Sequence, residues 1–422
     1  MFGLLSLLKS WIKMNNFSNF ITEEKNTHMT HIEDKVIYGG VNGTRQAIMA
    51  LKMLRDMLGG THEGSVSVKW DGAPAVFCGI DPTDGKFFVA KKGIFNKNPK
   101  VYKTAAEVEA DTSGDLAAKL KAALKYLPEL GIKGVIQGDF LFSSEDVSNE
   151  IIDGQRYLTF HPNTIIYAVP HDSEAAANIR KAKIGIVWHT TYNGNSFESM
   201  SASYGVDISK FHKSANVWSQ DAMLRDLTNA TMSKQDTEIV NELLTQAGKL
   251  FNQISGSTLR ELEANGELAQ HIETFNNSFV RVGTIVTDTR AHVNHLIKWI
   301  HDKYQKEIDA RKTPVGKTNV SKKRQDFLDF FSETNKASLI KMFDLQKVIV
   351  LAKLKLINTL NKLQTIDTFV KSRNGFKVTG AEGYVAIDKL GGDAVKIVDR
   401  MEFSFNNFSP DILKGWDKPG RK

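Results

Sequence analysis

The stretch SVSVKWDGAPAVFCGIDPTDGKFFVAKKG, Ser65 to Gly93, decides the reading of this chain. Ser65 to Lys69 alternates small polar and apolar residues, Asp71 and Gly72 supply a turn, and Ala75 to Ile80 resumes an apolar run of β type. A second turn, Asp81 to Gly85, leads into Lys86 to Lys92, so the spacing predicts antiparallel strands joined by tight turns. Lys69 then stands at the end of a strand. An amine held there is open to desolvation, and a desolvated amine near other cations loses its proton and becomes a nucleophile. The plain alternative is a surface lysine ahead of an Asp-Gly turn, because K-x-D-G is short enough to arise by chance.

Other patterns follow in a fixed order. Val135 and Ile136 precede Gly138, Asp139 and Phe140; much later come Glu382, Gly383, Tyr384 and Val385, then Val395, Lys396, Ile397 and Val398. The ordered set resembles the covalent nucleotidyltransferase superfamily, which holds the polynucleotide ligases and the mRNA-capping guanylyltransferases. The resemblance makes Lys69 of K-x-D-G, with Asp71 and Gly72, the residue that takes the nucleotide. It makes Lys91 the basic residue of motif Ia, Asp139 the acidic residue that holds the ribose, Glu382 of E-G-x-V the carboxylate near the metal, and Lys396 a phosphate contact. Glu382 and Asp139 are the metal candidates it implies.

Three departures stand out. Asp139 replaces the usual Glu, Pro74 stands where many DNA ligases place an arginine, and Lys396 lacks its customary second lysine, a gap that Arg400 is the candidate to fill. For the aromatic that stacks on the base, Tyr167 and Trp188 are both candidates, each in a plausible strand. The runs VKWDGAPAVF, AKKGIFNKNPKVYKT, LTFHPNTIIYAVP and VKIVDRMEFS also resemble uncharacterised proteins of large tailed bacteriophages, a similarity that names no reaction.

Composition is permissive. With 422 residues and 41% hydrophobic content the chain can bury substantial cores and exceeds the usual single domain. A net charge of +7 favours anionic partners without excluding an ordinary surface. The single cysteine, Cys78, makes no internal disulfide, which suits a reducing cytoplasm, the host's if a phage encodes the chain; it reads as a small buried strand residue.

Taken in order, Met1 to Ile12 is apolar but too short to span a bilayer and has no basic n-region or cleavage site, and Met14 is an alternative start. Residues 1 to 60 are expected to form an N-terminal helical segment, with Ala47, Leu51, Leu54 and Leu58 on one stripe and Gly59 and Gly60 ending it. Residues 61 to 204 carry strand signals interrupted by helices near Leu116 to Tyr126 and Ser173 to Lys181, and form the first part of an α+β core with antiparallel sheets. The basic run Lys91, Lys92, Lys97, Lys100 and Lys103 reads equally as a solvated loop or a phosphate contact.

From 205 to 372 helical stripes dominate, as in Ile239, Leu243 and Leu244 or Leu339, Phe343, Val350 and Leu354, which predicts an inserted all-helical domain. Within it, Arg311 to Gln325 (RKTPVGKTNVSKKRQ) is expected to be a basic loop. Its Gly316, Lys317 and Thr318 are no phosphate loop, because Arg311 occupies the place of the first glycine and no apolar strand precedes it. His292 and His295 form an i, i+3 pair on a predicted helix, with Asp288 one turn earlier and His301 further on; a partly exposed helix face without metal is the expected role. Residues 373 to 422 return to a β pattern: Phe376 to Thr379, Glu382 to Asp388, a Gly391-Gly392 turn and Ala394 to Val398. The last two runs form a hairpin that must complete the sheet of Lys69. The remaining tail, with Phe408 and Trp416, is too short for the OB-fold of DNA ligases, which favours RNA-ligase-like members.

The resemblance therefore implies an ATP- and Mg²⁺-dependent enzyme in which neutral Lys69 attacks the α-phosphorus, aided by Lys91 and Lys396, and hands AMP to nucleic-acid ends bearing a 5′-phosphate. RNA is favoured over DNA, with no membrane partner. Two alternatives stay open at this point: an adenylyltransferase acting on a protein or small molecule, and a non-catalytic binding protein on a ligase scaffold.

Overall fold

The alternation that predicts strands around Lys69 is realised in three β-sheets. The computed structural model describes residues 30–60, 64–224, 232–363, 366–388 and 394–416. The Met1 to Ile12 run and the Gly391-Gly392 turn lie outside these residues.

Sheet 1 has four strands in the order β12 (Met223–Leu224), β1 (Gly64–Lys69), β15 (Gly383–Asp388) and β16 (Ala394–Ile397), all antiparallel neighbours. The expected hairpin of Glu382 and Lys396 thus does complete the sheet of Lys69. Sheet 2 runs in the order β10 (Ser201–Tyr204), β9 (Ile184–Asn193), β5 (Val135–Ser143), β2 (Ala75–Ile80), β3 (Phe87–Ala90) and β4 (Val101–Tyr102), with β11 (Val217–Asp221) added parallel to β9. Sheet 3 comprises β14 (Gly375–Val378), β13 (Asp367–Ser372), β8 (Ile166–Pro170), β7 (Gln155–Phe160) and β6 (Ser148–Ile152), with β17 (Ile412–Leu413) against β13. The fold is α+β with antiparallel sheets, and no helix among the described residues is long and apolar enough to cross a membrane.

Sheets 1 and 2 are joined at two points. The chain passes from β1 to β2 through Trp70 to Pro74, and from β11 to β12 through Ala222, whose N–H donates to the Trp188 carbonyl (3.0 Å) while its own carbonyl accepts from the Val68 N–H (2.8 Å). The Lys69 end of sheet 1 is thereby pinned to the centre of sheet 2.

The helical stretch is shorter than the 205–372 read from sequence. Strands β11, β12 and β13 fall inside that range, and the helices run from Lys234 to Leu360. They share a core with sheet 1: Leu296, Phe343, Ile349 and Leu356 belong to the same buried cluster as Leu51 and Leu54 of the helix Gly40–Leu58 and Tyr384, Val395 and Ile397 of the sheet. Burial of that apolar face, rather than intrinsic propensity, is what holds such helices.

The expected loop Arg311 to Gln325 is instead mostly the helix Pro314–Asp329. Thr313 caps it, accepting from the Gly316 N–H at 3.1 Å, and Pro314 sits in the first turn, where its missing N–H costs nothing. The basic residues had masked a short apolar stripe, Val320 and Phe327, which the helix buries. Replacing Thr313 by alanine should lower stability by about 1 kcal/mol, read as a shifted urea midpoint.

Candidate active site

Lys69 is the last residue of β1 and pairs with Gly383, so Glu382 arrives beside it at the start of β15. The Lys69 ammonium forms an ion pair with the Glu382 carboxylate. The pairing is asymmetric in access: the lysine side chain is 37% exposed and the glutamate 10%. Burial pushes the Glu382 carboxyl up to about 6, Lys69 opposes the rise, and Asp71 adds to it. Gly383 is needed because a Cβ there would lie 2.4 Å from the Val398 side chain and 2.8 Å from the Ile397 carbonyl; β15 and β16 approach too closely for any other residue.

Lys396 of β16 pairs with Val385 of β15. Burial, then the charge of Lys69, holds its ammonium below the ordinary lysine value, which places both cations in one electrostatic neighbourhood. Two segments more than three hundred residues apart, the end of β1 and the paired strands β15 and β16, thus meet at Lys69.

Asp71 is buried and fully engaged. Its carboxylate accepts from Asn163 Nδ2 (2.6 Å) and from the N–H groups of Thr164 (2.6 Å) and Ile165 (2.8 Å), and its own N–H donates to the Tyr167 hydroxyl (2.6 Å). Its role is to fix the turn after Lys69. Gly72 is required by contact, since a Cβ would come within 2.6 Å of Asp139 Cβ and 3.1 Å of the Phe140 carbonyl. Asp139 itself lies on β5 opposite Ala75, with His189 Nε2 3.6 Å from its carboxylate.

The aromatic candidates are placed in the core. Tyr167 is 3% exposed, stacked on Trp70 at 4.7 Å and on Phe160 at 5.4 Å. Trp188 is fully buried on the other face of sheet 2 among Val76, Cys78 and Leu120, and its ring N–H donates to Ser219. Neither ring offers a face to a base. Burial of this kind is invisible to a β pattern that looks the same on both faces.

Arg400 is also taken. Its guanidinium lies 2.9 and 3.0 Å from the two Asp34 oxygens, bonds Asn277, and approaches Glu33 (3.9 Å) and Glu273 (3.8 Å). It ties the N-terminal segment to the helices rather than reaching a phosphate. Lys91 bonds Asp111 Oδ2 at 2.8 Å, and Lys100 and the Tyr102 hydroxyl meet the same carboxylate. Lys91, Gly93, Asn96, Asn98 and Lys100 line a cavity of about 290 Å³, separate from the hollow of about 10 Å³ that Asp71, Glu382, Asp399, Phe403 and Asn406 border. The smaller space holds no more than a water.

His292 is a core residue, 4% exposed, bonded through Nε2 to Asn276 (2.8 Å) and packed among Phe275, Phe279 and Phe343; burial lowers it to about 4. His295 points to solvent, so the i, i+3 pair does not converge, and Asp288 caps the helix, accepting from Ala291 N–H at 2.9 Å. The sequence did not single out His31, which bridges Lys396 in parallel, Asn163, or Lys119, whose ammonium lies 3.3 Å from the Ala73 carbonyl. Only Asn163 carried a signal, an Asn-Thr pair after Pro162 of the kind that bonds within turns.

A family model matches residues 26–411. The chain belongs to DUF6267, a family of unknown function. Apart from β17, the match spans the three sheets, together with the helices packed on sheet 1, so the Lys69 site lies within the family's shared extent. Comparison with curated proteins and with solved structures finds no match.

Proposed function

We propose that the chain is an ATP-dependent nucleotidyltransferase of polynucleotide-ligase type, taking AMP onto Lys69 and passing it to a 5′-phosphorylated nucleic-acid end, RNA in preference to DNA. The observation that carries this reading is the meeting of Lys69, Glu382 and Lys396, from one strand end and a hairpin more than three hundred residues away. The buried helical mass on sheet 1 favours the RNA-ligase-like members among those the motifs resemble.

In the first step Lys69 sheds a proton and its nitrogen bonds the α-phosphorus while the bond to pyrophosphate breaks. Glu382, paired with that ammonium and raised by burial, is placed to receive the proton. Lys396 faces the phosphates, and Asp71 holds the turn without touching substrate. The exposed side of Lys69, rather than the small hollow, is where the nucleotide arrives. An oxygen of the 5′-phosphate next displaces Lys69 from the adenylate phosphorus, and a 3′-hydroxyl then attacks the 5′-phosphorus and releases AMP.

Among the described residues no group of three or more His, Cys, Asp or Glu is arranged to hold an ion. Mg²⁺ needs only one or two carboxylates when phosphates and water supply the rest; with Glu382 committed to Lys69, Asp139, whose side chain is 22% exposed, is the carboxylate that would hold it. The ion would neutralise charge on the phosphates as pyrophosphate leaves.

The test is incubation with α-labelled ATP and Mg²⁺, followed by a chase with 5′-phosphorylated RNA and DNA. The reading expects label on the protein that moves to RNA; label that never leaves for nucleic acid would point to another acceptor, and no label removes the enzyme. The pH profile adds a second check. Labelling should fall as pH drops through about 6, where Glu382 takes up its proton. Because that value lies above the ordinary 4.5, the folded state binds this proton more tightly than the unfolded one. The group therefore favours folding increasingly as pH falls from about 6 toward 4.5, so protonation of Glu382 does not itself loosen the fold. Glu382→Gln should flatten that limb.

A further inference from the structure

We propose that the outer face of the helix Arg400–Phe408 is a docking surface for single-stranded nucleic acid, with Phe405 and Phe408 as stacking platforms for bases. The proposal rests on the ligase-type reading only for where the strand leads. Phe405 is 46% and Phe408 61% exposed, unusual for rings of this size, and their i, i+3 spacing puts them on one face of the helix. Each ring carries a cation from a different element: Lys377 Nζ of β14 lies 5.1 Å from the Phe405 centroid and Arg281 Cζ 5.7 Å from that of Phe408.

An exposed aromatic with a cation on one face and solvent on the other is the arrangement that grips single strands, stacking a base while the cation meets the phosphate. The inner face of the same helix continues to the reaction centre. Phe403, Asn406 and Asn407 border the hollow shared with Glu382, and Lys396 lies 5.9 Å from the Phe403 ring. A strand whose end sits at Lys69 would run outward over one short helix. The neighbouring Val282 and Val378 are exposed as well, at 74% and 68%, so a protein partner is the rival occupant that the test must separate.

The experiment uses the full-length protein and a fluorescein-labelled single strand of about a dozen nucleotides, followed by anisotropy across a salt series. Phe405→Leu/Phe408→Leu keeps the surface apolar but removes stacking, and should weaken binding at least tenfold. Phe405→Trp/Phe408→Trp should bind within about threefold of the parent, because a larger ring stacks as well. Arg281→Gln/Lys377→Gln should flatten the salt dependence by the two phosphates it no longer meets. AMP uptake on Lys69 without a strand should be unchanged in all three.

A leucine variant that binds as tightly as the parent, or a parent that binds no strand, overturns the docking surface while leaving the lysyl-AMP reading intact. Leucine substitutions that reduce self-association instead of strand affinity overturn it too, in favour of a protein contact. Conversely, strand binding that depends on the two rings upholds the surface even if the parent takes no label from ATP.

Discussion

Replacing Lys69 by alanine should abolish AMP uptake, by at least about a thousandfold, the scale on which removal of a covalent nucleophile acts. The expectation follows from position. Lys69 is where β1 ends, where Glu382 enters, and where Lys396 contributes its charge. Lys69→Arg separates charge from chemistry: it keeps a cation for Glu382 yet offers no amine that readily loses a proton, so it should be as inactive as alanine. Lys69→Arg should not move stability by more than about 1 kcal/mol, because it keeps a cation beside the buried Glu382 carboxylate and the lysine itself is partly exposed. A large loss of stability in Lys69→Arg would mean that Lys69 is structural.

The second large effect is on the fold. Lys353 and Glu33 form an ion pair at 2.8 Å with side chains only 1% and 6% exposed, and Gln346 bonds the Glu33 carbonyl. Burial pushes the Glu33 carboxyl up, but Lys353, His31 and Arg400 outweigh it and hold the group below its ordinary value. The pair joins the long helix Glu333–Leu360 to the segment that bridges Lys396. Lys353→Met leaves a buried carboxylate without its main partner and should cost about 3 to 5 kcal/mol, measured by urea unfolding. Glu33→Leu with Lys353→Met should recover most of that loss, since a buried ion pair is worth little more than the apolar residues that replace it. Because the Glu33 value is depressed, its contribution is present above about pH 4.5 and fades as pH falls further. A change under about 1 kcal/mol in Lys353→Met would show that the pair is hydrated.

Local chemistry was the legible part of the sequence. The alternation before Lys69, the Asp-Gly turn and the apolar runs through Ile136 and Ile186 each specify a strand within a few residues, and β1, β2, β5 and β9 lie where they predict. The return of the Glu382 hairpin to the Lys69 sheet was legible for the same reason: one short strand cannot stand alone. What sequence could not supply was which face of a strand is covered. Tyr167 and Trp188 sit in runs that look alike, and only the helix Gly114–Tyr126 and the packing of sheet 3 show that both are buried. The partners of Arg400, Asp34 and Asn277, are 366 and 123 residues away, beyond what a local pattern can pair. The helix at Pro314 was a different failure, since its Thr-Pro start was present but the surrounding charges argued for a loop.

The most direct measurement is intact-protein mass spectrometry after incubation with ATP and Mg²⁺, followed by peptide mapping of any adduct. The account predicts one added AMP, carried by the peptide that contains Lys69, absent from Lys69→Ala, and discharged by pyrophosphate. An unmodified chain, or an adduct that maps elsewhere and survives in Lys69→Ala, would contradict it.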